Sequence, residues 1–423
     1  QGFTGRPRIV YSESFVTGES GQSAYDNWGH GTHVAGIIGS NGTYRGIAPN
    51  VQLVDLQALD ANGVGTDGSV IQAIERAIQL KDTYGIRVVN LSLGRPIYES
   101  YRQDPLCQAV EAAWRAGLTV VVAAGNNGRS GFSGSGGYWT ILSPGNDPLA
   151  ITVGAMKTMG TPARGDDLVA SYSSKGPSLI DEVVKPDLVA PGNRITSLLA
   201  GRNCTLATEY PGDILTGGVN GKGYLKLSGT SMATAVVSGA AALLLQKDPA
   251  LTPDQVKIRL MKTASKNFPA YSIATDSTTG QTFRSQYDIF TIGAGYLDVL
   301  AALTDMSHPL GSGMSPLARS TSGGVAIVPS LWSAWMLSPG GLAGFWGSTV
   351  FVPTSASVAW GSSVAWGSSV AWGSSVAWGS SVAWGSSVAW GSSAAWGSSA
   401  AWGSSAAWGD SAAWGDTVQG GGE

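Results

Sequence analysis

Histidine occurs three times in 423 residues, and cysteine twice. Cys107 and Cys204 are too few for a structural zinc site, which takes four ligands, and no CxxC pair is present. They either pair in an oxidising compartment or stay as buried thiols. Charge is scarce as well. Asp, Glu, Lys and Arg make up 13% of the chain, about half the usual share. A net charge of -3 gives no reason to expect nucleic acid or an anionic membrane as partner. Within residues 311–423 the only charged side chains are Arg319, Asp410, Asp416 and Glu423, so the chain falls into two compositional halves. The uncharged stretch 325–352 is broken by Pro, Gly and Ser, and reads as linker rather than as a membrane span. There is no initiator Met and no leader. The sequence opens on Gln1 in mid-phrase, so a preceding part, with any export signal, is expected to lie outside it.

The apolar fraction, 43%, is ample for a core. Between residues 50 and 300 short apolar runs alternate with helical periodicity. "SVIQAIERAIQL" (69–80) repeats apolar residues at three- and four-residue spacing, as an amphipathic helix does. "VVNLSL" (88–93), "TVVVAAG" (119–125) and "AITVGA" (150–155) read as buried strands, with a helix over 107–116. "SMATAVVSGAAALLLQ" (231–246) is apolar nearly all round and predicts a buried central helix. "TPDQVKIRLMKTA" (252–264) opens with a Thr cap, Pro at the first helical position and Gln three residues after the cap. Such alternation predicts an α/β fold, a doubly wound, mostly parallel sheet with helices on both faces. Its active site belongs at the carboxyl ends of the strands.

The other half is repetitive. From Ser357 a six-residue unit, "SVAWGS", recurs and places Trp at every sixth position from 360 to 414. An even period puts every indole on one face of an extended chain. In a helix it scatters them, and one Gly per unit costs about 1 kcal/mol. Residues 356–423 therefore read as a flexible low-complexity tail, a β-stacked module or an adhesive surface, with an unknown partner.

Three segments carry chemistry: "GHGTHVAG" (29–36), "VVVAAGNNG" (120–128) and "LSGTSMATA" (227–235). Each alone has an ordinary reading. A Gly-flanked His is commonly structural, Asn after Gly makes a turn, and Ser caps helices. Together, in this order, they resemble the subtilases, the subtilisin-like serine proteases. The resemblance runs from about Ile9 to Leu303 and includes "GIAP" (46–49), "NLSLG" (90–94), "YSSKGP" (172–177), "KPDLVAPG" (185–192) and "GAGYLD" (293–298). It implies His30 as general base, His33 as a structural histidine, Ser231 as nucleophile and Asn126 as oxyanion-hole donor. It places Ser92, Leu93 and Gly94 with Ala123, Ala124 and Gly125 around the first specificity pocket. These small apolar residues suggest large apolar side chains at the cut. Gly63, Val64 and Gly65 look like an edge that pairs with extended substrate. Partners are then protein or peptide substrates, and the location is secreted or extracellular. The chemistry needs no cofactor. Structural calcium occurs in the family, but the loop after the His helix, residues 40–49, is short, and no metal ligand is assigned.

Two departures stand out. Ala235 replaces the family's Pro after GTSMA-T, which is compatible with a helix interior. More consequential, subtilases run Asp, His, Ser, with the Asp about thirty residues before the His. No Asp-Thr-Gly or Asp-Ser-Gly motif precedes His30, and Asp26, Glu13 and Glu19 are the only acids there. An Asp just before GHGTH is a flanking residue in the family. The expectation is thus a subtilase domain over 1–303 without its triad Asp, a linker over 304–355, and the repeat tail. Activity would be reduced by about 10⁴-fold. The alternative is a non-catalytic pseudoprotease, or an adhesion protein acting through its Trp repeats. An esterase is disfavoured, because the Ser231 motif lacks the second Gly of GxSxG and its His precedes its Ser.

Overall fold

Capping sets where the helices begin. The structure, a computed structural model, describes residues 8–329 apart from 23, 130–135, 217–222, 277–279 and 322–323. The repeat region lies outside the described residues. In chain order the first elements are β1 (Ile9–Ser14), α1 (His30–Gly39), β2 (Leu53–Gln57), α2 (Asp67–Tyr84), β3 (Val88–Leu91), α3 (Pro105–Arg115), β4 (Thr119–Ala123) and β5 (Ile151–Lys157). There follow β6 (Leu168–Val169), β7 (Leu188–Pro191), β8 (Ile195–Leu198), α4 (Thr205–Glu209), β9 (Ile214–Leu215), β10 (Tyr224–Leu227), α5 (Thr230–Lys247) and α6 (Pro253–Thr263). The last described elements are β11 (Tyr271–Thr275), β12 (Thr282–Gln286), α7 (Ile289–Ile292), α8 (Val299–Thr304), β13 (Leu317–Thr321) and β14 (Gly324–Val328).

Helix α6 opens with the capping box that its sequence predicts: Thr252 accepts from the Gln255 N–H and Gln255 returns to the Thr252 N–H. Helix α2 uses Thr66 and Ser69 in the same reciprocal way. Asp104 caps α3, with Pro105 at its first position.

Strands β3, β4, β5 and β7 pair in parallel, and β6 adds an antiparallel edge to β5. Every residue of β4 is buried, as expected of a parallel strand covered on both faces. Helix α5 packs along β3, β4, β5 and β7 and against α1. Most of its length is buried, which explains why its sequence shows no polar stripe. Cys107 and Cys204 are both buried free thiols. Among the described residues, no helix is long and apolar enough to cross a membrane.

The parallel sheet is in two pieces. Strands β1 and β2 pair in parallel with each other, and neither continues into the β3–β4–β5 sheet. Between β2 and β3 lies a cavity of about 1560 Å³, lined by both strands, by α1 and by α2. Its walls include Val54 and Leu56 from β2, Val88 from β3, Val34 from α1 and Ile74 from α2. His30 and Ser92 also border it.

The stretch 304–355, expected to be a linker, is not one throughout. Within it β13 and β14 form an antiparallel hairpin. The Ala318 N–H donates to the Glu182 carbonyl and the Val184 N–H to that of Pro316, and Ala318 is fully buried. Low charge and frequent Gly, Ser and Pro hide this hairpin in the sequence, although the small Ala318 fits it against the domain.

This attachment sits over a buried charge cluster. Asp187 accepts from Lys185 Nζ at 2.7 Å and pairs with Lys257 Nζ at 3.1 Å, and all three side chains are inaccessible to solvent. Ser315 also donates to Asp187. Burial alone would raise the Asp187 carboxyl, but the two ammonium groups outweigh it and hold the carboxyl below its usual range. Replacing Asp187 with Asn strands two buried cations. The expected loss is about 3–5 kcal/mol of folding stability, read as a lowered denaturant midpoint; a change under about 1 kcal/mol would contradict this account.

Candidate active site

The residues singled out in the sequence lie at the starts of α1 and α5 and just beyond the carboxyl ends of β3 and β4. His30 is the first residue of α1, after Gly29 at φ 96°. A side chain on Gly29 would lie 2.7 Å from Cys204 Sγ, so glycine is required there on both conformational and steric grounds. The His30 imidazole is buried, and burial lowers its pKa to about 4, against a smaller opposing effect of the Asp26 charge. The positive end of α1 also disfavours imidazolium. His30 is therefore neutral near pH 7 and able to accept a proton.

Asp26 has another task. Its Oδ1 accepts from the Gly29 N–H at 2.7 Å and its Oδ2 from the Thr32 N–H at 2.6 Å. The carboxylate thus satisfies first-turn donors of α1 that have no intrahelical partner. Both oxygens are engaged with the backbone, as a flanking residue's would be. His33 is fully buried, with Nε2 placed 3.1 Å from the Ile195 carbonyl and 3.0 Å from that of Leu225. That nitrogen carries the proton and ties α1 to β8 and β10. Burial, then the neighbouring His30, pushes its pKa to about 3.

Ser231 is the second residue of α5, following Gly229 and Thr230. It meets the end of β3 directly. The Ser92 hydroxyl donates to the Ser231 carbonyl at 2.9 Å, and the Ser231 hydroxyl to the Ser92 carbonyl at 3.4 Å. Asn126 lies just beyond the end of β4. Its Oδ1 accepts from the Thr230 N–H at 2.9 Å and the Thr230 hydroxyl at 3.0 Å. Because a peptide N–H can only donate, this fixes the amide: oxygen toward Thr230, Nδ2 away from it. A methyl built on Gly229 would be 3.4 Å from that Nδ2, which puts the amide donors beside the start of α5. Thr230 also accepts from the Gly125 N–H. Sequence reasoning did not single out Thr230, though it stands inside the GTSMA motif.

Ser92, Leu93 and Gly94 leave β3, while Ala123, Ala124 and Gly125 end and leave β4; all six are buried. Since β3 and β4 are adjacent, the two segments leave neighbouring strand ends, as the expected two walls of the first specificity pocket would. Residues 63–65 close a tight turn in which Asp60 accepts from the Asn62 and Val64 N–H groups. Gly63 lies against Trp28: a side chain there would be 2.8 Å from the indole. Gly65 bridges to Leu59. The turn therefore borders the His30-bearing segment.

Asp55 on β2 lines the cavity and was not anticipated. Burial first, then the charge of Asp26, raises its carboxyl to about 6, with a Ser12 hydrogen bond opposing. No pattern in "VQLVDLQ" marks it. Among the described residues, no group of three or more His, Cys, Asp or Glu side chains is placed to hold a metal ion.

Residues 8–295 match the Subtilase family profile, Peptidase_S8. Serine protease AprX of Bacillus subtilis (strain 168) is 41% identical over 243 residues, which is 55% of this chain and 52% of that protein. An extracellular serine proteinase of Thermus sp. (strain Rt41A) is 40% identical over 267 residues, 63% of this chain and 52% of its own. This chain thus spans about half the length of both relatives. The solved structure of Sphericase superposes with a TM-score of 0.51 at 28% identity, covering 70% of this chain and 87% of Sphericase. With a parallel α/β sheet, a profile match over most of the described residues and a helix-borne Ser among matching motifs, the chain belongs to the subtilase family.

Proposed function

We propose that this chain is a serine endopeptidase in which Ser231 is the nucleophile, His30 the general base and Asn126 an oxyanion donor. The observation that carries the reading is the start of α5. Ser231 sits there in the first turn of a buried helix, beside Asn126, whose Oδ1 is taken by Thr230 so that its Nδ2 donors lie near Gly229. The Ser231 hydroxyl attacks the peptide carbonyl, and its proton passes to neutral His30 and then to the leaving amine. The charge that develops on the carbonyl oxygen is met by Asn126 Nδ2, the Ser231 N–H and the positive helix end. Water then releases the acyl group by the same route. Protein or peptide chains are the substrates, and the turn at residues 63–65 borders the segment that carries His30. The extracellular relative supports a secreted location.

The acid member of the triad is the open part. Asp26 is committed to the backbone of α1. The cavity between β2 and β3 borders His30 and has strand edges on two sides. We read it as the place where an extended strand, supplied from outside the described residues, brings a carboxylate to His30. The same features favour a second reading, a pseudoprotease that never receives this acid.

Ser231→Ala is expected to abolish both cleavage of a casein-like substrate and covalent labelling by a small fluorophosphonate; full activity in this variant would sink the proposal. Asn126→Ala is expected to lower kcat by about 10²–10³-fold with little change in KM, a magnitude that comes from subtilisin itself. A synthetic apolar strand peptide bearing one Asp, added in trans, is expected to raise both thermal stability and cleavage. Its Asn counterpart should raise stability alone. If the Asp peptide stabilises the chain without any gain in cleavage, the pseudoprotease reading is preferred.

A further inference from the structure

The two walls beside Ser231 do not enclose an empty pocket. Between them stands Leu142. A methyl built on Gly94 would lie 3.0 Å from Leu142 Cβ and 3.2 Å from its Cδ1. One built on Gly125 would lie 2.7 Å from Leu142 Cγ and 2.9 Å from the same Cδ1. One branched side chain thus touches both glycines. They are the two wall residues that themselves contribute no side chain.

Leu142 is also held in place by its backbone. Its N–H donates to the Ala124 carbonyl at 3.1 Å, which ties it to the second wall. The next residue, Ser143, exchanges two hydrogen bonds with Arg95, directly after the first wall, at 2.8 and 2.9 Å. Arg95 is itself buried and paired with Asp104 at 2.8 Å and with Asp67 at 3.1 Å. The floor segment is therefore laced to both walls and through them to the starts of α2 and α3. Leu142 remains half-exposed while the glycines on either side are buried. Its side chain fills the gap and presents its outer surface to whatever enters.

We propose that Leu142 is a specificity-determining residue: it occupies the depth of the first specificity pocket and restricts the residue before the cut to small side chains such as Ala. The inference rests on the protease reading and replaces the expectation of large apolar residues, which considered only the two walls. The four carbons of Leu142 take the volume that an aromatic or long aliphatic side chain would need. Hydrophobic pockets discriminate by about 10–200-fold per methylene of misfit. A Phe substrate must therefore displace Leu142 or stay shallow.

The test uses two peptidyl phosphonates that differ only in carrying Ala or Phe at the reacting position, alongside a fluorophosphonate too small to probe the pocket. Labelling rates of the full chain are followed by intact mass. The native protein is expected to react faster with the Ala probe, and Leu142→Gly to shift the Phe-to-Ala rate ratio upward by at least about tenfold. The small probe reports the reactivity of Ser231 in each protein, and the two peptidyl rates are read relative to it. If it labels Ser231 but the Phe-to-Ala ratio is unchanged by the substitution, the pocket assignment is overturned while the serine reading stands. If it labels neither protein even with the Asp-bearing strand peptide present, the serine reading fails and takes the pocket assignment with it. Should circular dichroism show Leu142→Gly to be unfolded, Leu142→Ala is held to the same upward shift.

Discussion

Much of this structure depends on the need to satisfy the amino end of a buried helix. Helix α5 runs through the core with no acidic residue in its first turn and no side-chain cap from Gly229. Its leading N–H groups must find acceptors inside the protein or pay a desolvation cost of about 1–3 kcal/mol each. Asn126 answers for Thr230, and in doing so the orientation of its own amide is fixed. Ser92 meets the Ser231 carbonyl. The solution to a packing problem is thus also a polar constellation at the carboxyl ends of β3 and β4. The helix start is fixed by its neighbours, and the hydroxyl it carries inherits that rigidity.

How much of this could be read in the sequence follows from what kind of information each feature uses. Helix α6 was legible down to its cap, because Thr252, Pro253 and Gln255 act within four residues of one another. The strands β4 and β5 were legible because burial on both faces leaves a continuous apolar run. Helix α5 was legible for the same reason. His30, Ser231 and Asn126 were singled out through the family resemblance of the short motifs that carry them, and the structure sets His30 and Ser231 in the first turns of α1 and α5.

What escaped notice is non-local. Leu142 matters because three segments far apart in the chain meet around it, and nothing in "TILSPGN" records that meeting. Asp55 has an unusual environment only because burial and the charge of Asp26, distant in the chain, act on it together. The β13–β14 hairpin was mistaken for linker because its composition is sparse in charge, while its anchoring comes from Glu182 and Val184 well upstream. Sequence patterns report the faces an element buries. They say little about which partner does the burying.

The lacing of Ser143 to Arg95 has a bearing on how such a protein changes over time. Arg95 pairs with the buried carboxylate of Asp104 and the partly exposed one of Asp67 and so secures the frame of the pocket from behind, while Leu142 decides how deep that frame is. Frame and depth are therefore held by different residues. A single codon change at 142 can alter diet while leaving the wall backbone, the start of α5 and the reacting groups where they are, so new substrate preferences are reachable without passing through an unfolded or inactive ancestor.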